Sequence, residues 1–183
     1  MKITAIDFET ANPRSDSACA LGLVQVENGQ VTRTKYWLIR PPDFYFHPRY
    51  IDIHGITPEM VEHEPEFDAI RAEFEEFTAD STIIAHNAAF DMGVLKALYK
   101  RYDVAIPRMD YMCTVTLSRK MWTNLPNHKL NTMADFFGIT FQHHNALEDS
   151  VVCAEIAIRA LAETGLGNLE KLASHFKLKI HTT

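Results

Sequence analysis

Residues 2–8 are apolar at Ile3, Ala5, Ile6 and Phe8 and read as a buried first strand, closed by Asp7-Phe8-Glu9-Thr10. Two further strand-like runs, Ala20 to Glu27 and Gln30 to Ile39, flank Asn28-Gly29. That pair suits the positive φ angles of a tight hairpin turn. Pro41-Pro42 ends the third strand, and an aromatic-rich loop runs from Asp43 to Gly55. Thr57-Pro58-Glu59 predicts a helix start, with a hydroxyl cap and proline at the first helical position. A second helix is predicted over Glu66 to Thr78, and a short fourth strand over Thr82 to Ala85. Asn87 then caps a helix over Ala88 to Tyr102, and Pro107 precedes a strand at Arg108 to Tyr111. Helices are predicted over Thr114 to Trp122 and Leu130 to Phe137, the second stopped by Gly138. Leu147, Val151, Ala154, Ile158 and Leu161 recur at helical spacing and predict a long helix over Ala146 to Ala162. Gly165 and Gly167 close it, and Leu169 to Phe176 forms a terminal helix.

An antiparallel hairpin followed by alternating strands and helices predicts an α/β fold. One domain over residues 1–183 accounts for the pattern, with a core of about 1–162 and a short helix and tail over 165–183. No apolar run is long enough to span a membrane, and no basic-then-apolar signal precedes the first strand. Cys19, Cys113 and Cys153 lack metal-ligand spacing, and their odd number argues against a disulfide framework. A cytoplasmic location is expected on these grounds. The net charge of −6 and the scattered basic residues disfavour a protein that grips long duplexes, but not an enzyme holding a few nucleotides.

Three segments carry chemistry. Asp7 and Glu9 are two residues apart, so a strand points both carboxylates to the same face. Burying two carboxylates side by side is costly, and a divalent cation is the usual remedy. Asp91 falls in the first turn of its helix, where the macrodipole favours an anion whatever its role. Its neighbours Phe90, Met92, Val94 and Leu95 leave that turn poorly solvated, so the carboxylate also wants a cation. In His143-His144-Asn145-Ala146-Leu147-Glu148-Asp149, Asn145 and Glu148 resemble a capping box, which accounts for Glu148 structurally. Asp149 then lies in the first helical turn, with His144 on the incoming loop facing the same cleft. Spacing favours His144 over the adjacent His143.

Acid-x-acid ending a first strand, Asn-x-x-Phe-Asp opening a middle helix and His-x-x-x-x-Asp opening a late one form an ordered set. In this the chain resembles the DEDDh group of 3′–5′ exonucleases in the ribonuclease H-like superfamily. It is most similar to the proofreading epsilon-subunit type of bacterial DNA polymerase III, over roughly residues 1–162 and including the run His54-Gly55-Ile56-Thr57. Asn145 stands where the sister group carries tyrosine, which excludes that group. The resemblance implies a ribonuclease H-like fold, with a central mixed β-sheet flanked by helices.

It also implies the site. Asp7, Glu9, Asp91 and Asp149 match the four acids that hold metal, and His144 matches the general base that takes a proton from the attacking water. Oxygen-only ligands point to two Mg²⁺ ions, with Mn²⁺ able to substitute. Phe8, Thr10, His54, Ile56 and Asn87 are the implied contacts to the terminal nucleotide, with packing the main role expected of Ile56 and capping that of Asn87. Phe44, Tyr45 and Phe46 are open to either base stacking or local packing. The expected activity is release of nucleoside 5′-monophosphates from the 3′ end of single-stranded or frayed DNA. Trimming of short RNA is the alternative, and a silent nucleic-acid-binding or polymerase-associated subunit is the reading from another class. The expected partner is a nucleic acid with a free 3′ end. Stable polymerase association is not expected, because the resemblance includes no long tethering tail.

Overall fold

The structure, a computed structural model, describes residues 2–183. Six strands form one mixed sheet in the order β3-β2-β1-β4-β5-β6. These are β1 (Lys2–Thr10), β2 (Ala18–Glu27), β3 (Gln30–Leu38), β4 (Thr82–Ala85), β5 (Asp110–Cys113) and β6 (His181–Thr182). The first three are antiparallel, β4 and β5 run parallel to β1, and β6 is antiparallel to β5. Asn28 (φ 53°) and Gly29 (φ 79°) make the expected hairpin turn between β2 and β3.

Helices cover both faces. On one lie α5 (Thr114–Met121), α6 (Leu130–Phe137), α7 (Ala146–Thr164) and α8 (Leu169–Phe176), over Ile3 and Ala5 of β1. On the other, α3 (Phe67–Thr78) and α4 (Ala88–Arg101) pack over Ile6 and Phe8. The period-2 alternation of β1 therefore feeds two cores, and Asp7 and Glu9 share the α7 face with Ile3 and Ala5. A third, smaller cluster joins Phe46, Ile56 and Val61 to Ala11, Cys19, Ala20 and Ala146.

Several expectations shift. The segment read as a loop from 43 to 55 contains α1 (Pro48–His54), with Pro48 in its first turn, His47 as its cap and Gly55 (φ 75°) closing it in the left-handed region. The helix begun at Thr57 is only the four-residue α2 (Pro58–Val61), and the Thr57 hydroxyl makes no capping bond. The fifth strand lies at Asp110–Cys113 rather than Arg108 to Tyr111. The tail is tied down as β6, with the Thr183 hydroxyl donating to Pro107 O at 2.8 Å. The buried face of α7 only partly matches the apolar stripe read from spacing: Ala154 and Leu161 lie in it, and the other three positions do not. Leu147, Val151 and Ile158 sit at the rim, while Val152, Cys153, Ile156, Ala157 and Ala160 complete the buried face. Small residues win there because the helix lies close on the sheet.

Candidate active site

The site is built where β1 outruns its neighbour. β4 pairs with β1 only at Ile3, Thr4 and Ala5, so the rest of β1 has a strand partner only in β2. The Phe8 N–H, beyond the last β4 pair, donates to Asp91 Oδ1 at 3.0 Å. A side chain from α4 thus takes the place of a strand, and this bond ties the middle helix to the metal-facing end of β1. A bulge between Glu9 and Thr10 bends the strand just past the carboxylates.

On the α7 face, Asp7 pairs across the sheet with Gly22. A Cβ on Gly22 would lie 2.1 Å from Ala146 O, so only glycine lets α7 rest on the sheet at this point. The Ser150 hydroxyl donates to Gly22 O at 3.0 Å and fixes the contact. This close approach delivers Asp149, in the first turn of α7, to Asp7 and Glu9. One oxygen from each of Asp7, Glu9 and Asp149 lies within 4.8 Å of the others. Asn145 caps α7 through the N–H groups of Leu147 and Glu148, both at 3.2 Å. Glu148 does not return to Asn145 as a capping box requires; it accepts the Gln142 N–H instead.

His144 stands just outside the helix with φ 66°, a left-handed turn that carries the chain across the mouth of the site. Its N–H donates to Asp149 Oδ2 at 3.1 Å, and its Nδ1 is 3.9 Å from Glu9 Oε1. His143 is in the site as well. Its Nδ1 is 3.2 Å from Asp149 Oδ1, and its ring stacks on His144 with centroids 3.9 Å apart. Spacing separated the two histidines; the fold brings both to Asp149.

The electrostatics are those of a cluster that lacks countercharge. Burial raises the Asp7 pKa well above the carboxylate range, reinforced by Asp91, Asp149 and Glu9. Glu9 is pushed up to about 8 by burial and then by Asp149 and Asp91. Asp91 and Asp149 are also raised by burial, while the Phe8 N–H opposes the shift at Asp91 and the His143 contact opposes it at Asp149. Burial and the neighbouring His143 lower the pKa of His144, which keeps its ring neutral. Converging hard oxygen donors that repel one another suit Mg²⁺ or Mn²⁺, which would supply the missing positive charge.

These groups line a cleft of about 620 Å³. Phe8, Thr10, His54 and Asn87 border it, while Ile56 is buried in the small cluster beneath, in the packing role expected of it. His54 is a clasp: its Nε2 is 3.2 Å from Thr10 O and its Nδ1 accepts the Ile56 N–H. Asn87 is not a side-chain cap. It adopts φ 82°, and its amide makes no hydrogen bond to the helix, which leaves it facing the cleft. Phe46 is buried and Phe44 packs against it, and none of the three aromatics at 44–46 reaches the cleft. The aromatic rim comes from Tyr50 and Phe90, joined by Ile53. α1 carries two of these residues, and it was missed because its turn signals lie inside an aromatic run. Arg119 and Lys129 line the cleft as well.

The exonuclease family model (RNase_T) matches residues 4–157. The chain belongs to the exonuclease family. Its fold is ribonuclease H-like, a six-stranded mixed sheet flanked by helices. The PolC-type DNA polymerase III of Thermotoga maritima is 30% identical over 95% of the chain and 13% of its own length. That of Bacillus subtilis is 31% identical over 82% of the chain and 11% of its own. The chain spans about a quarter or less of the curated relatives it matches. Among solved structures, Exonuclease X in complex with 5′-overhanging duplex DNA superposes with a TM-score of 0.76 at 23% identity, covering 95% of this chain and 99% of that one. The nuclease domain of 3′hExo bound to rAMP gives 0.79 at 17% identity, covering 98% of this chain and 96% of that one. No helix among the described residues is long and apolar enough to cross a membrane.

Proposed function

We propose that this exonuclease hydrolyses the terminal phosphodiester bond at the 3′ end of single-stranded or frayed DNA and releases nucleoside 5′-monophosphates. The observation that carries the reading is the convergence of Asp7, Glu9 and Asp149 within 4.8 Å, with His144 at their edge. Asp7, Glu9 and Asp149 would hold one divalent ion, and Asp7 with Asp91 a second. Such ions relieve charge on the transferring phosphoryl group and acidify water. The protein's own share is positional. Asp91 holds β1 in place through Phe8, and Gly22 lets α7 bring Asp149 down.

His144 accepts the proton from the attacking water. Its ring makes no hydrogen bond to any described residue, whereas His143 Nδ1 is engaged with Asp149. A neutral imidazole with a free nitrogen at the cleft is ready for that task near pH 7–8. The test uses 5′-labelled single-stranded DNA and its RNA counterpart, with Mg²⁺ or EDTA, beside Asp7→Ala. A Mg²⁺-dependent ladder shortening from the 3′ end, absent in the variant, is expected, and faster on DNA. Preference for RNA would transfer the reading to RNA trimming. Tight binding with no cleavage of either oligomer would overturn it in favour of a silent binding module.

A further inference from the structure

The cleft that holds the acids is also lined by Arg119 and Lys129, from a stretch of the chain unlike the rest in its charge. Between Asp110 and Asp135 the chain has no acidic residue, in a protein of net charge −6. That stretch supplies α5, the loop after it and the first turn of α6, and it puts Arg119 and Lys129 on the cleft. Neither side chain makes an ion pair with another described residue. Among the described residues, six cations elsewhere are ion-paired: Arg14 and Arg101 share Asp43, Lys35 takes Glu73, Arg40 takes Glu66, Arg71 takes Asp68 and Glu75, and Arg159 takes Glu155. What sets Arg119 and Lys129 apart is not the lack of a partner but their place on the cleft in a stretch without acids. Two unpaired cations facing one cleft are ready to meet anions.

The wall that carries them is also held rigid. His86, at the end of β4, has Nε2 2.9 Å from His128 O and Nδ1 3.0 Å from the Thr114 hydroxyl. His128 Nε2 reaches back to Trp122 O at 3.0 Å. Asn127 Oδ1 accepts both the Lys129 N–H and the Thr132 hydroxyl, at 3.0 and 2.7 Å. A loop pinned this way pre-pays the ordering that binding would otherwise demand.

Resting on the exonuclease reading above, we propose that Arg119 and Lys129 form a phosphate rail that grips the backbone of single-stranded substrate on the 5′ side of the scissile bond, with His86 as the positioning residue that holds the rail in place. Two contacts suit a strand threaded singly into the cleft and are too few for a long duplex. Each phosphate neutralised on a single strand contributes about −0.7 to the slope of log K against log salt, so the rail accounts for about −1.4. Between 50 and 200 mM salt that amounts to about a sevenfold loss of affinity.

The experiment measures kcat and KM in Mg²⁺ at several NaCl concentrations, on a labelled DNA 12-mer and on a dinucleotide whose one phosphate is scissile. The double variant Arg119→Gln/Lys129→Gln is compared with wild type and with Lys120→Gln, a neighbouring cation that does not line the cleft. Expected is a KM on the 12-mer raised about tenfold or more with kcat held, a salt slope shallower by about 1.4, and a much smaller loss on the dinucleotide. His86→Ala should raise the same KM with both cations present, and thermal melts confirm that each variant is folded. An unchanged salt slope, or equal losses on both substrates, would overturn the rail while leaving the exonuclease reading intact. Absence of Mg²⁺-dependent cleavage by wild type would instead remove the reading on which it rests.

Discussion

Without metal, Glu9→Gln should make the protein more stable at alkaline pH while abolishing its activity. Glu9 is only 12% exposed at its side chain and its carboxyl is pushed up from 4.5 to about 8 by burial and by Asp149 and Asp91. A carboxyl whose folded pKa lies above its unfolded value binds protons more readily in the fold. Its favourable contribution is complete below about pH 4.5 and is lost as pH rises to about 8. At 1.36 kcal/mol per pKa unit, the ionised group opposes folding by up to about 5 kcal/mol at pH 8. The amide keeps its own desolvation cost, which leaves a net gain on the order of 3 kcal/mol. For a chain of this length that is about 6–12 °C in Tm. Melts in EDTA should show the gap at pH 8 and its disappearance by pH 5. Mg²⁺ at a hundred times its Kd should return about 2.7 kcal/mol to wild type and less to the variant, closing the gap from the other side. A Glu9→Gln protein no more stable than wild type at pH 8 in EDTA would refute the reasoning.

Other outcomes follow from single contacts. His144→Ala should lower kcat on the order of 10²–10⁴-fold while DNA binding persists, and His143→Ala should lose much less; equal losses in steady-state rates would reassign the base. Gly22→Ala forces α7 away from β2, so a cost of about 1–3 kcal/mol in denaturant melts should accompany a loss of turnover of about 10²-fold. His86, lowered to about 4 by burial, stays neutral in the fold. Its contribution to stability is complete above about pH 6.5 and drains away toward pH 4, by about 3 kcal/mol. Its ring-proton NMR shift should titrate near 4, and a midpoint near 6.5 would contradict the burial.

Residues whose role is local were legible in the sequence. The period of two in β1 places Asp7 and Glu9 on one face, the Asn28-Gly29 turn sets the hairpin, and Asn145 caps α7 as its position predicts. Contacts between distant segments were not legible. Nothing near Gly22 announces that α7 will rest on it, although glycine inside a buried strand is a signal of close approach. Asp91 has the same property: its place in a first helical turn is visible, but its bond to Phe8 depends on β4 being shorter than β1. Asn87 read as a cap because its type and position allow one, yet its left-handed backbone turns the amide away.

The site's cost and its function therefore share one origin. Asp7, Glu9 and Asp149 are held together by packing that would exist without them: the α7 contact at Gly22 and the two cores on either side of β1. That scaffold lets carboxylates persist at a distance where burial, and then repulsion from Asp149 and Asp91, raise the pKa of both Asp7 and Glu9. Metal affinity is then the release of this repulsion, and it should carry protons with it. At pH 7, where Glu9 is largely protonated, Mg²⁺ binding should release protons, and calorimetric heats should change with the ionisation enthalpy of the buffer. Buffer-independent heats at that pH would mean that the carboxylates are already ionised, and that the scaffold stores no repulsion for the metal to relieve.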